Sequence, residues 1–317
     1  MAIANYIKEI GRGKDGARAL TEPQAFDLMS QVLDGQVSDL EIGAFALAMR
    51  IKGETPDELA GFLRAAQQRC ITVPITRPTV VLPSYNGARK LPNLTPLLAL
   101  LLAQEGVPVL VHGPMLDANR ITSAQIFHDL GLPFARDAEE VAHGWARREP
   151  VFIATEHLCP SLARLLEVRR VVGLRNSGHT VAKVLAPFGG AASLRVVNHT
   201  HPEYSTLLSE FLTRSGADAM LLRGTEGEPV ADPRRAPRFD VFIAGRLRPD
   251  LSRPAHEGVL TGLPVLPRGC DAATTAVYIQ SVVSGEKPAP APITQQVECL
   301  TAALAAACAT LPDEQIA

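Results

Sequence analysis

Three helix-start signatures near the beginning of the chain constrain its fold most. Thr21-Glu22-Pro23-Gln24, Ser38-Asp39-Leu40-Glu41 and Thr55-Pro56-Asp57-Glu58 each set a hydroxyl ahead of a Glu or Gln three residues on. In such a capping box the hydroxyl accepts a backbone N–H of the first turn, and the third residue reaches back to the cap. Pro56 fits the first helical position. Apolar residues follow at helical spacing: Phe26, Met29 and Leu33; Ile42, Phe45 and Met49; Leu59, Phe62 and Leu63. Gly35 and Gly53 fit as stops. A further helix is expected near Ala2 to Ile10. The result is a small helical unit ending near Cys70. Its helices are short with broad apolar faces, which suits a dimer interface.

The pattern changes at Ile71-Thr72-Val73-Pro74. Strands are expected at Thr79 to Leu82, Pro108 to Val111, Val151 to Ala154, Leu194 to Val197, Ala219 to Leu222 and Val241 to Ala244. Helices are expected at Pro96 to Gln104, Ser123 to Leu130, Ser161 to Val171, Glu203 to Arg214, Ala272 to Val283 and Gln295 to Ala309. Gly106, Gly131 and Gly216 stand where helix C-caps need left-handed backbone. Alternation of this kind predicts an α/β part on a mostly parallel sheet with surrounding helices. Ligands of such sheets sit in the loops beyond the carboxyl ends of the strands. Lys287 to Pro292, with alternate prolines, reads as a stiff connector before the last helix.

Composition narrows the class. The chain has 317 residues, 46% of them hydrophobic and 20% charged, enough for a sizeable core and too apolar for wholesale disorder. A net charge of -2 gives no overall sign of a nucleic-acid binder, although a local basic face can hide in such a total. The five cysteines form no C-x-x-C pair and read as reduced thiols. No secretory leader pattern stands at the start, and Leu97 to Ala103 is too short to span a bilayer. A cytoplasmic protein with no membrane partner is expected.

Four loop segments carry the chemistry. After the first strand comes Ser84-Tyr85-Asn86-Gly87-Ala88-Arg89-Lys90, with Asn93-Leu94-Thr95 at the next helix start. Val111-His112-Gly113-Pro114-Met115 follows the second strand. His179-Thr180-Val181-Ala182-Lys183-Val184-Leu185-Ala186-Pro187-Phe188 lies downstream of Arg169, Arg170 and Arg175. Thr225-Glu226-Gly227-Glu228-Pro229 follows another strand. Between Asp232 and Arg253, six arginines, among them Arg234 and Arg235, face three aspartates, a shape suited to bidentate phosphate contacts or to a solvated hairpin.

This order resembles the anthranilate phosphoribosyltransferases, of glycosyltransferase family 3 with the nucleoside phosphorylase class II fold. The resemblance covers nearly the whole chain. It implies a helical domain over 1–72, completed by helices within about 160–186, and an α/β domain over 73–317 with phosphate-binding-type loops. The family carries G-T-G-G-D-G then F-N-I-S-T at the first loop, and here Gly87 alone survives with Asn93 and Thr95. Its K-H-G-N-R keeps only His112 and Gly113. Its R-T-I-F-N-L-L-G-P-L has His179 for the arginine and Lys183 for the asparagine. Its D-G-L-D-E loses the adjacent acid pair, leaving Glu226 and Glu228 as candidate Mg²⁺ ligands if transferase activity persists.

The Ser-Tyr-Asn-Gly-Ala-Arg-Lys and Asn-Ser-Gly-His-Thr-Val-Ala-Lys segments are similar to those of the YbiB-type branch. That branch implies a homodimer that binds nucleic acid. The expected phosphate-contacting set is Asn86, Gly87, Arg89, Lys90, Asn93, Thr95, His112, Arg175, His179, Lys183, Arg234 and Arg235, with Arg89, Lys90 and Lys183 on loops expected to share a cleft. A single remaining glycine predicts a phosphate held by side chains such as Tyr85 and Arg89 instead of by a backbone cradle. The alternative is a phosphoribosyl or pentosyl transferase of altered specificity.

Overall fold

The computed structural model describes residues 3–13, 15–189, 193–258 and 262–309. In chain order, α1 (Ala4–Ile10), α2 (Glu22–Leu33), α3 (Asp39–Lys52) and α4 (Pro56–Gln67) come first. Then come β1 (Val73–Pro74), β2 (Thr79–Pro83), α5 (Thr95–Gln104), β3 (Val109–Gly113), α6 (Ser123–Asp129), β4 (Phe134–Ala135), α7 (Ala138–Ala146) and β5 (Val151–Ala154). Next are α8 (Thr155–Leu158), α9 (Pro160–Val172), α10 (Ser177–Val184), β6 (Phe188–Gly189), β7 (Ser193–His199), α11 (Pro202–Arg214) and β8 (Ala219–Arg223). The last are β9 (Phe239–Ile243), β10 (Arg246–Leu247), α12 (Ala272–Val283) and α13 (Ala291–Cys308). Ala2 of the first expected helix lies outside the described residues.

The chain divides into two compact units, Met1–Ile71 with Thr155–Pro187, and Thr72–Ala154 with Phe188–Ala317. In the helical unit all three capping boxes form. Glu58 does more than cap. Its fully buried carboxylate accepts N–H groups of Thr55 and Leu20 at 2.9 Å each and the Lys52 ammonium at 2.7 Å. Gly61 lets α4 lie against α2, since a Cβ there would stand 2.4 Å from the Glu22 carbonyl oxygen. Phe45 and Phe62 meet edge to face at 5.9 Å between centroids.

The α/β unit is built on an eight-stranded sheet of order β10-β9-β8-β7-β2-β3-β5-β4, beside a short parallel β1–β6 pair. β9 is antiparallel to both its neighbours, and the other neighbours are parallel. Central strands are buried along their length, as doubly covered strands must be. Val80, Leu82, Val109 and Val111 point into one core with Leu97, Ile126, Ile279 and Leu300 of α5, α6, α12 and α13. The alternate positions Val81, Leu110, Val197 and Leu221 are buried too, so both faces are covered.

Several expected bounds shift by one or two residues, as at β3 and β7, and two further departures concern a turn and a connector. Ala244 leaves the expected strand because it adopts φ 47° ahead of Gly245 at φ 72°, the left-handed pair that closes a two-residue hairpin. The connector before the last helix ends earlier, with Ala291 and Pro292 already in α13. No disulfide joins the cysteines, and no described helix is long and apolar enough to cross a membrane.

Candidate functional site

The carboxyl ends of β8, β7, β2 and β3 lie side by side, and the loops after β2 and β8 meet there. The loop after β2 is held from below by β3. Ser84 donates its N–H to the His112 carbonyl at 2.8 Å. Gly113 makes this approach possible, since a Cβ there would lie 1.9 Å from the Ser84 carbonyl oxygen. Tyr85 turns inward and its hydroxyl meets His112 Nδ1 at 2.9 Å. Both side chains are buried. The chain then turns at Gly87, φ 63°.

The turn after β8 presses onto this loop. Thr225 pins it by donating its N–H and its hydroxyl to the Val230 carbonyl at 2.9 and 3.0 Å. Glu226 and Gly227 both have left-handed backbone, at φ 51° and 87°. A Cβ on Gly227 would sit 1.7 Å from Asn86 Nδ2.

Two carboxylates project from this turn into two adjoining sets of donors. Glu228 is fully buried. Its Oε1 accepts the N–H of Asn86 at 2.7 Å and of Gly87 at 2.8 Å. Its Oε2 accepts the hydroxyls of Ser84 and Thr95, the latter at 3.3 Å, and the Asn93 amide at 3.4 Å. Ser123 joins through Ser84 at 2.7 Å and Asn93 at 3.1 Å. Glu226 Oε1 accepts the N–H groups of Lys90 at 2.8 Å, Leu91 at 2.9 Å and Arg89 at 3.3 Å. The Arg120 guanidinium lies 3.6 Å from its other oxygen and bonds the Gly87 carbonyl at 3.0 Å.

The expected phosphate-holding side chain of Tyr85 is not available here, and the N–H groups of Asn86, Gly87 and Lys90 are already taken by the two carboxylates. The backbone cradle survives with one glycine, because Gly87 supplies the left-handed turn and the other N–H groups need none. Tyr85 is spent on His112. Arg89 and Lys90 contribute N–H groups here while their side chains are exposed.

The expected metal role fits poorly. Mg²⁺ needs lone pairs that converge on a point. Both carboxylates here turn their oxygens to N–H and O–H donors, whose positive ends would repel a cation. Among the described residues no group of three or more His, Cys, Asp or Glu is placed to hold one.

Beside the cradle, beyond β7 and β8, lies a cavity of about 740 Å³. Lys90, Arg223, Arg234, Arg235 and Arg238 line it, against Glu226, Asp232 and Asp240. Arg234 is forked onto Asp232 at 3.0 and 3.1 Å, and Arg238 bonds Asp240 at 2.7 Å. Lys90, Arg223 and Arg235 are exposed and form no ion pair among the described residues. Farther along the arginine-rich segment, Arg248 pairs with Asp250 at 2.6 Å and Arg253 with Glu298 at 3.4 Å. The local excess of positive charge therefore narrows to a few groups, and Arg223 was not among the residues singled out from sequence.

Arg175, His179 and Lys183 belong to the helical unit, at and within α10. Asn176 caps this helix, accepting the Gly178 N–H at 2.9 Å and donating to the Leu165 carbonyl at 2.8 Å. His179 takes the third position, with its Nδ1 3.3 Å from the Asn176 nitrogen. Burial first, then Arg175, Arg169 and Lys183, push its pKa down to about 3. At neutral pH the ring is therefore neutral and brings no positive charge to a phosphate.

Residues 4–70 match the helical bundle domain of the glycosyl transferase family. The chain is 39% identical to protein YbiB of Escherichia coli K12 over 316 residues, covering 99% of this chain and 97% of that one. It is 27% identical to the anthranilate phosphoribosyltransferase of a Synechococcus strain over 294 residues, 91% of this chain and 83% of that one. In structure it is similar to the anthranilate phosphoribosyltransferase of Thermus thermophilus, with TM-score 0.69, 23% identity, and coverage of 98% and 91%. The Saccharomyces cerevisiae enzyme, in complex with PRPP and Mg, matches with TM-score 0.62 and 12% identity over 96% and 94% of the two chains.

Proposed function

The chain belongs to the anthranilate phosphoribosyltransferase-like family, in its YbiB-type branch, and from that premise we infer that it binds nucleic acid through the phosphate backbone instead of transferring a phosphoribosyl group. The observation that carries this reading is the cavity beside the cradle. Lys90, Arg223 and Arg235 stand there exposed and without ion-pair partners among the described residues. Unpaired cations at a concave surface attract polyanions, and the released counterions supply the affinity. The sequence shows no base-reading module, so contacts go mostly to phosphates.

The functional particle is a cytoplasmic homodimer. Leu40, Leu47 and Ile51 support this: they fall on one face of α3 and are 83%, 47% and 65% exposed. Such a row suits a second copy of the same surface.

The test is fluorescence anisotropy of a labelled mixed-sequence single strand across a salt series, with phosphoribosyl diphosphate plus Mg²⁺ as a competitor. Binding that weakens steeply with salt, and is indifferent to sequence, is the expected result. No binding at low salt sinks the reading. Saturable binding of phosphoribosyl diphosphate with Mg²⁺ favours a transferase of altered specificity, as does turnover with any acceptor.

A further inference from the structure

We propose that the turn Gly224 to Glu228 is an internal plug, and that Glu226 and Glu228 are specificity-determining residues that keep external oxyanions out of the cradle after β2. The donors there are those an oxyanion needs. The N–H groups of Asn86 and Gly87 with the Ser84 and Thr95 hydroxyls form one pocket, and the N–H groups of Arg89, Lys90 and Leu91 form its neighbour. Each pocket holds one carboxylate. Two adjoining anionic positions are what a compact diphosphate would occupy, and here the chain fills both.

The plug is built, not incidental. Glu228 is fully buried, so no water competes for its donors. Gly224 allows the turn to close, because a Cβ there would lie 1.9 Å from the Glu228 carbonyl oxygen, and Gly227 allows it to touch Asn86. The carboxylates are tethered, so they act at an effective concentration far above that of any free anion. A free oxyanion would have to expel both, and strand two carboxylates beside its own charge.

This goes beyond the nucleic-acid reading and does not depend on it, since strand binding uses the exposed side chains of the neighbouring cavity. The probe is inorganic pyrophosphate, titrated at constant ionic strength. The readout is the backbone amide resonances of Asn86, Gly87, Lys90 and Leu91; the last two also line the cationic cavity, so Asn86 and Gly87 report the cradle alone. In the unaltered protein Asn86 and Gly87 stay still through millimolar pyrophosphate. In Glu226→Ala the Lys90 and Leu91 resonances move with pyrophosphate, and in Glu226→Ala/Glu228→Ala all four move, with an affinity gain of roughly a hundredfold over the unaltered protein. If the double variant does not fold, Glu226→Ala is read in an Arg223→Ala/Arg235→Ala background, where the neighbouring cavity has lost two of its cations and the cradle donors remain. Saturable shifts of Asn86 and Gly87 in the unaltered protein overturn the proposal. So does a folded variant whose four amides ignore pyrophosphate. Failure of strand binding with these shifts intact would remove the nucleic-acid reading alone.

Discussion

Glu228 and Gly87 are far apart in sequence, yet the Glu228 carboxylate accepts the Gly87 N–H at 2.8 Å in a fully buried setting. Truncation at this position strands donors from Asn86, Gly87, Ser84 and Thr95 at once. Each buried donor left unmade costs about 1–3 kcal/mol, offset in part by water entering a polar hole. Glu228→Ala should therefore lower stability by about 3 kcal/mol, read as a lower denaturant midpoint. Glu228→Gln keeps the volume but turns an NH₂ group toward other donors, so it should also destabilise. A neutral result for both would mean the carboxylate is not held as described.

Gly227 offers a contrast with Gly285. Both have left-handed backbone, φ 87° and 83°. Alanine at Gly285 meets no neighbour within 4 Å, so it should cost only the backbone penalty of about 1–2 kcal/mol. Alanine at Gly227 adds a clash with Asn86 Nδ2 at 1.7 Å and should cost at least about 1 kcal/mol more. Equal melting shifts for the two variants would show that the turn after β8 is free to move off the loop after β2.

Local signals made most of the fold readable in advance. The capping boxes at Thr21, Ser38 and Thr55 and the β-branched runs of β2, β3, β5 and β7 need only neighbours in sequence. The residue pattern alone points to no helix at α10, because Gly178, Thr180 and Val181 are poor helix formers, and only the family resemblance implies helices up to about 186. It forms because Asn176 caps it and its buried face packs in the helical unit. Glu226 and Glu228 were visible as acids after a strand, but whether an acid meets a cation or a nest of N–H groups depends on a loop distant in sequence. The pairing of Arg234, Arg238 and Arg248 with aspartates two residues away was within reach of the sequence, since such spacing lets a long guanidinium fold back on its own strand or turn.

Lys52 and Glu58 form a pair with side-chain exposures of 9% and 0% at 2.7 Å. Removing Lys52 leaves the carboxylate buried without its cation, although Thr55 and Leu20 still donate to it. Lys52→Met should cost about 3 kcal/mol. The Arg64–Glu22 pair, at 47% and 41% exposure, should cost under about 1 kcal/mol when broken by Glu22→Gln. Denaturant midpoints of the two variants check the ranking, and parity between them would contradict it.

His179 sets a pH window in the helical unit. Its folded pKa of about 3 lies below the ordinary value of 6.5, so the unfolded chain binds the extra proton first. Its contribution to stability is complete above about pH 6.5 and is lost as pH falls toward about 3. Glu54 opposes this trend, because burial raises its pKa, but it is common to both proteins compared. Unaltered protein should lose more stability between about pH 7.5 and about pH 5 than His179→Gln does. Matching pH slopes in urea unfolding would mean the ring is accessible and ordinary.

Arg223 and Arg235 should carry the salt dependence of strand binding, while Arg238 should not. Arg238 already has its charge offset by Asp240 at 2.7 Å, so a phosphate gains little from it. Arg223 and Arg235 have no such partner among the described residues. Each counterion-releasing contact contributes roughly 0.7 to the slope of log affinity against log salt for a single strand. Arg223→Ala and Arg235→Ala should each flatten that slope by about this amount and weaken binding equally for every sequence. Arg238→Ala should leave the slope nearly unchanged. The same anisotropy titration reads all three. A slope that moves only with Arg238 would place the strand on the hairpin side of the cavity and assign the phosphate contacts to a different set of arginines.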